Sequence, residues 1–361
     1  MKILIVGHSL SGGGAEFVTR EWMKFLHSSG DLVHVALLSN AEGTQMNFEP
    51  SGTYDLSDKT TPRLLNKIIS LRKIIRQENF DVCLAIQTYP NLISIFATLF
   101  LKKKPRLVIS ERNVPSVLLP REGQSQRIQL RLAKLLYKFA DAAIAISHPV
   151  AANLITSFKV RQSNCFVVPN PALAKVGIKE QQADRQISDG ITLVLPFRLV
   201  PQKEPLKALQ IAHVLVDKGY KVSILSFGLG SLSAAFQASA SQQKLQLHVE
   251  GWQENWFDLC PENSVVLLPS FIEGFGNVLL EAAAVGIPSV AWSGALGVAD
   301  AIIPGTTGVF SVGSSAENFA EAVLEAKDLK VDAPMGWLSY FSPESSGRIM
   351  RIVLSLVSTQ S

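Results

Sequence analysis

The sequence has too few cysteines for a disulfide framework. Cys83, Cys165 and Cys260 are odd in number and far apart in 361 residues. No Cys-x-x-Cys pair is present to hold zinc, so a reducing, cytoplasmic setting is expected. Long apolar runs are also missing. The N-terminus offers only Lys2 and the run Ile3–Val6 before Gly7, too short for a signal-peptide core. The longest near-apolar run, Leu92 to Leu101, stops at Lys102-Lys103-Lys104. It is about half of the roughly 20 residues a bilayer span needs, so a soluble or surface-bound chain is expected. No Asp-x-Asp metal motif, internal repeat or low-complexity tract occurs. Acid is scarce in the first half. Residues 1–172 hold 21 Lys and Arg against 12 Asp and Glu, whereas the remainder hold 13 against 18. A basic half beside an acidic half points to an anionic partner for the first, or to no more than solubility charge.

What is present is a foldable chain: 47% hydrophobic, 18% charged, and long enough that two cores are expected rather than one. Short, apolar, β-branched runs alternate with helical patterns. The expected strands of the first half are Lys2–Val6, Val33–Leu38, Val82–Ile86, Arg106–Ser110, Ala142–Ile146 and Cys165–Val168. Those of the second half are Ile191–Pro196, Lys221–Ser226, Gln246–Glu250, Ser264–Pro269, Pro288–Trp292 and Gly308–Val312. The polar, turn-rich stretch from Asn170 reads as a linker, and Ser342-Pro343-Glu344 as the start of a last helix. The expected organisation is an α/β chain of two doubly wound, Rossmann-like domains facing a central cleft. A first domain (1–172) leads through a linker (173–189) to a second domain (190–336) and a C-terminal helix (337–361). In such sheets ligands bind beyond the carboxyl ends of the strands.

The stretch "VGHSLSGGGAE", Val6 to Glu16, puts three glycines where the first strand ends and a helix begins. It is not a dinucleotide fingerprint. The third small position of GxGxxG/A is Phe17, and Leu38 leads to Ser39 and Asn40 instead of an acidic residue, which argues against NAD. The loop still offers N–H groups at a helix N-terminus to an anionic ligand. A tight turn needing positive φ explains the glycines equally well.

The second half is more specific. In "LPSFIEGFGNVLLEAAAVGIPSVAW", Leu268 to Trp292, Glu273 and Glu281 flank Gly274-Phe275-Gly276-Asn277 and a Leu- and Ala-rich helix. Glu281 is the sole charged residue from Gly274 to Ala299. A carboxylate in so apolar a helix is costly unless it is paired or meets a polar ligand. This stretch resembles the donor-binding signature of glycosyltransferase family 4, retaining enzymes of the two-domain GT-B fold. The resemblance covers nearly the whole chain. "FRLVPQKE" looks like that family's diphosphate-binding segment, with Arg198 and Lys203 in the basic positions; Phe197 and Glu204 stand where glycines are usual. "GGGAE" looks like the family's loop beneath the donor phosphates, "VVPNPA" like its strand-to-linker motif, and "ISERNVP" like a variant of bacterial polysaccharide transferases. The segment Ser226–Gly230 lacks the acidic residue usual there.

The resemblance implies the site. Arg198 and Lys203 would stabilise charge growing on the departing phosphate, with Glu273 and the following N–H groups of Gly274, Phe275, Gly276 and Asn277 holding the donor sugar. Glu281 would bind the ribose hydroxyls. Gly13 and Gly14 would bring N–H groups from the other domain, and Asn170 lies near the hinge. Glu111, Arg112 and Asn113 would face the acceptor or donor sugar, or else cap their own loop. No metal and no cofactor are expected, the nucleotide sugar, a UDP-sugar, being substrate.

The acceptor is read from charge. "RIQLRLAKLLYKFA" sets Arg127, Arg131, Lys134 and Lys138 on one helical stripe beside Leu135, Leu136 and Phe139. "RLLNKIISLRKIIRQ" is similar in character. Basic amphipathic helices lie on anionic membrane surfaces, so contact with the inner face of the cell membrane and a glycan or polyprenyl-diphosphate-linked acceptor are expected. The competing explanation is a solvated helix face. Nucleic acid is not expected, because no stacking platform is visible. The expected function is retaining sugar transfer in bacterial polysaccharide or glycolipid assembly. A nucleotide-sugar epimerase of the same architecture and a non-catalytic sugar-nucleotide-binding protein are the alternatives.

Overall fold

The computed structural model describes residues 1–39, 48–57, 64–176 and 190–359. They divide into two units, one of Met1–Pro171 with Pro343–Ser361 and one of Ala172–Ser342.

In the first unit the strands are β1 (Lys2–Gly7), β2 (Leu32–Leu37), β3 (Gly52–Asp55), β4 (Val82–Ile86), β5 (Arg106–Glu111), β6 (Ala142–Ala145) and β7 (Cys165–Val167). All pairings are parallel, and the order is β3-β2-β1-β4-β5-β6-β7. Six of the seven were expected within a residue or two. The exception is β3: "GTYD" carries no apolar run and sits at the sheet edge, where pairing with β2 alone makes it a strand. The helix Gly14–Ser28 buries Val18, Trp22 and Leu26 on one face and gives way to Gly30 at φ 82°.

The second unit holds β8 (Gly190–Leu195), β9 (Lys221–Ser226), β10 (Gln246–Val249), β11 (Ser264–Leu268), β12 (Ser289–Trp292) and β13 (Gly308–Ser311). Its order is β10-β9-β8-β11-β12-β13, again all parallel. Both orders reverse beside the first strand of their unit, between β1 and β4 and between β8 and β11. The carboxyl ends of those neighbouring strands are where a doubly wound sheet opens to a ligand.

The returning helix, Pro343–Thr359, belongs to the first unit. Its Met350, Val353, Leu354 and Val357 join Ile3, Ile5, Val18, Trp22 and Val33 in one buried cluster. Gly347 permits this approach, since a Cβ there would lie 2.2 Å from the Phe25 ring. Arg351 donates to Asp31 (2.8 Å), which also takes the N-terminal ammonium (2.8 Å).

Two expected boundaries shift. Residues 337–342 stay with the second unit, because Phe341 accepts from Leu173 N–H (3.3 Å) and its ring lies 5.2 Å from that of Phe275. Residues 173–176, read as linker, are likewise folded into the second unit. They continue the buried turn Ala172–Ala174, and the rest of that linker (177–189) lies outside the described residues.

Candidate active site

Across the switch between β8 and β11, Lys203 and Glu273 meet. The chain leaves β8 through Pro196 and a single 3-10 turn, Pro201–Lys203. Lys203 Nζ reaches Glu273 Oε1 at 2.5 Å, and the adjoining Gln202 side chain donates to Ile272 O (2.9 Å). Glu273 is buried and held by its backbone, donating to Ala295 O (2.9 Å) and accepting from Gly297 N–H (3.1 Å). Gly297 has to be glycine, because a Cβ would meet Gly274 backbone at 2.3 Å. Arg198 is exposed, and its guanidinium has no hydrogen-bond or ion-pair partner among the described residues. Lys203 is therefore committed to Glu273, and Arg198 is the uncommitted charge among the described residues.

The departures from the family pattern have local causes. Phe197 is buried, and room for its chain comes from Gly228 and Gly230. A Cβ on Gly228 would fall 1.6 Å from Phe197 O, and one on Gly230 would fall 2.4 Å from Leu199 O. The Ser226–Gly230 segment thus braces the Arg198 loop through close backbone approach. Glu204 stands at φ 46°, the left-handed region a glycine enters freely, and its carboxylate pairs with Lys207.

The helix Asn277–Ala284 starts from Gly276 at φ 97° and has no side-chain cap there. Phe275 turns inward against Phe341, so of that residue the backbone alone faces outward chemistry. Glu281 is 7% exposed and accepts from Trp256 Nε1 at 2.7 Å. Burial pushes its carboxyl above the usual range, while the Trp256 bond and the charge of Lys175 pull it part of the way back. Lys175 also lies 5.5 Å from the ring of Trp252, which is exposed. Sequence reasoning missed Trp256 and Lys175; no spacing rule links either to Glu281.

In the first unit, Gly12 takes φ 102° and Gly13 precedes the helix Gly14–Ser28, which has no side-chain cap. Its first N–H groups therefore have no side-chain acceptor from the cap. At the end of β5, Glu111 has a different task from the one expected. It is 3% exposed, and its Oε1 accepts from Thr88 Oγ1 (2.9 Å), Asn91 Nδ2 (3.1 Å) and the Tyr137 hydroxyl. Burial nevertheless pushes its carboxyl to about 7. Arg112 stacks on Trp22, 4.8 Å from the ring, and donates through Nη2 to Asn170 Oδ1. Its Nε and Nη1 are buried without a partner, and burial lowers it to about 9. Asn113 caps its own loop, accepting from Val114 N–H at 2.8 Å. Thus Arg112 and Asn170 are brought together, Glu111 anchors the strand end from within, and Asn113 shapes the turn.

The basic stripe is on the surface. Arg127, Arg131 and Lys134 are exposed on the helix Gln124–Leu136, and Lys138 on the 3-10 turn that follows. Leu130, Ala133 and Tyr137 form the buried side. Among the described residues, no helix is long and apolar enough to cross a membrane, and no group of three or more His, Cys, Asp or Glu is placed to hold a metal ion.

Comparison with known proteins gives a consistent picture. The model of Glycosyltransferase Family 4 matches residues 12–172, and that of Glycosyl transferases group 1 matches residues 178–334. A Campylobacter jejuni N-acetylgalactosamine-N,N'-diacetylbacillosaminyl-diphospho-undecaprenol 4-alpha-N-acetylgalactosaminyltransferase is 26% identical over 78% of this chain and 78% of its own. An Escherichia coli UDP-Gal:alpha-D-GlcNAc-diphosphoundecaprenol alpha-1,3-galactosyltransferase is 22% identical over 63% of this chain and 61% of its own. Among solved structures, the lipopolysaccharide outer core galactosyltransferase WaaB superposes with a TM-score of 0.77, at 19% identity, over 99% of both chains. That likeness establishes the fold.

Proposed function

Because the chain belongs to glycosyltransferase family 4, we propose that it moves a sugar, with retention, from a UDP-sugar to a lipid-linked glycan in bacterial surface polysaccharide or glycolipid assembly. The observation that carries the reading is the Lys203–Glu273 pair beside the switch between β8 and β11, with an exposed Arg198 in the loop after β8 and a buried Glu281 in the helix after β11. Glycosyl transfer breaks the bond between the anomeric carbon and a diphosphate, and negative charge grows on the leaving oxygen. Arg198 supplies a planar fork for two phosphate oxygens and Lys203 a point charge, so the cation otherwise needed is built from side chains. An incoming phosphate competes with Glu273 for Lys203 and frees the carboxylate for sugar hydroxyls. Glu281, oriented by Trp256, accepts from the ribose. With no second carboxylate among the residues assigned to the donor sugar to act as nucleophile, the departing phosphate helps deprotonate the acceptor on the same face.

The lipid-linked acceptor is supported by the undecaprenyl-diphosphate substrates in the relatives' names and by the basic stripe Arg127, Arg131, Lys134 and Lys138, which would hold the protein peripherally at an anionic inner leaflet. A calorimetric panel of UDP-, GDP- and ADP-sugars, followed by turnover with polyprenyl-diphosphate-linked glycans, tests the proposal. A UDP-sugar is expected to bind and to be consumed only when acceptor is present. Donor conversion without acceptor would mark an epimerase, and binding without any turnover a non-catalytic protein.

A further inference from the structure

On the basic flank of the first unit, one side chain is placed at odds with a water-facing role. The helix Thr88–Thr98 is almost wholly buried, yet Phe100, two residues beyond it, is 91% exposed. Its φ is 63°, a conformation that Gly or Asn takes easily and a phenylalanine does not. The turn is held in place: the Arg72 guanidinium donates to the carbonyls of Phe96 (2.7 Å), Ala97 (3.0 Å) and Leu99 (2.9 Å). Lys102, Lys103 and Lys104 follow, all exposed. Beside the turn is a cavity of about 140 Å³ lined by Ile95, Leu99, Leu101, Leu107 and Phe139, with Lys104 also on its wall. The neighbouring helix Gln124–Leu136 and its 3-10 turn add exposed Leu135 (62%) and Phe139 (49%), and no acidic residue occurs from Gln124 to Phe139. An apolar tip, a mostly apolar slot that also takes in Thr98, and three exposed lysines, of which Lys104 lies 3.9 Å from Asp141, match a surface that is apolar within and anionic at its rim.

We propose that the Phe100 turn is a bilayer wedge: Phe100 and Leu101 enter the acyl margin of an anionic leaflet, an acyl chain occupies the adjoining slot, and Lys102–Lys104 meet lipid phosphates. This rests on the membrane-attached reading above but assigns a separate element. The basic stripe attracts the protein to the leaflet, and the wedge gives apolar depth that salt does not screen.

Phe100→Asn tests it, since asparagine is at ease in the left-handed region. Partition onto vesicles of phosphatidylcholine with about one-third phosphatidylglycerol is expected to fall about tenfold, with the melting temperature unchanged or raised. Phe100→Trp is expected to show blue-shifted emission over the parent on adding these vesicles, and quenching by lipids brominated on the acyl chain. Phe100→Asn that partitions like the parent, or Phe100→Trp with no blue shift, overturns the wedge. The combined Arg127, Arg131, Lys134 and Lys138→Gln variant separates the two ideas. If it loses binding while Phe100→Asn keeps it, attachment is electrostatic and the wedge alone is wrong. If the parent itself ignores anionic vesicles, the membrane reading falls and the wedge with it. A change in oligomeric state by Phe100→Asn would instead identify a self-association face and also refute the proposal.

Discussion

Glu111→Gln isolates the electrostatic cost of the buried network at the end of β5. The carboxyl ordinarily titrates near 4.5 and is pushed by burial to about 7 despite three donors on Oε1. The folded state therefore holds this proton more tightly than the unfolded chain does. Its stabilising contribution is complete below about pH 4.5 and is lost as pH rises through about 7. At roughly 1.4 kcal/mol for each tenfold difference in proton affinity, keeping Glu111 ionised costs the fold about 3 kcal/mol at pH 8. Glutamine keeps a carbonyl oxygen for Thr88, Asn91 and Tyr137 but carries no charge. The variant is expected to match the parent at pH 4.5 and to exceed it by about 3 kcal/mol at pH 8. For a domain of this size that is a rise of roughly 5–10 °C in melting temperature. Urea melts of both proteins at half-unit steps from pH 4.5 to 8 measure the gap. A gap that does not widen with pH, or a variant less stable at pH 8, would refute the assignment of that cost to Glu111.

Trp256→Phe removes the one hydrogen bond seen to steady Glu281 among the described residues, so the carboxyl rises further and donor binding weakens more at acid pH than at alkaline pH. Calorimetry at the two pH values reads this, and an equal loss at both would show that the bond does not set the ionisation. Glu281→Ala is expected to cost the donor about 1.5–3 kcal/mol, the worth of a charged hydrogen bond, and to lower the melt somewhat, because Trp256 Nε1–H loses its buried acceptor. Unaltered donor affinity would remove Glu281 from the site. Arg198→Ala should lower kcat about a hundredfold and donor affinity far less, because phosphate charge grows in the transition state. Arg198 has no partner among the described residues, so its stability cost should stay within about 0.5 kcal/mol; a rise in KM at constant kcat would contradict the role. Transfer should persist in EDTA, and loss restored by magnesium or manganese would show that side chains do not replace the cation.

The sequence by itself determined the layers. Runs such as Ile3–Val6 and Val265–Leu268 are buried on both faces in a parallel sheet, so their hydrophobicity alone announces them. Local stereochemistry likewise placed Pro343 at the start of the last helix. Glu281 was visible as a lone carboxylate in an apolar helix, whereas Arg198, Lys203 and the role of Glu273 were picked out by resemblance to the family's motifs. The edge strand Gly52–Asp55 was not legible, since it is made by hydrogen bonding to β2 and carries no pattern of its own. Tertiary structure alone decided the partners. Lys203 and Glu273 are 70 residues apart, Trp256 and Glu281 are 25 apart, and nothing local to either residue specifies the other. Glu111 shows why this matters: its place after a strand suggested an outward role. The approach of Thr88 and Asn91 from one helix and of Tyr137 from a separate 3-10 turn makes it an internal anchor instead. Periodicity reports which way a segment faces, whereas the charge state and freedom of a side chain depend on what other segments bring against it.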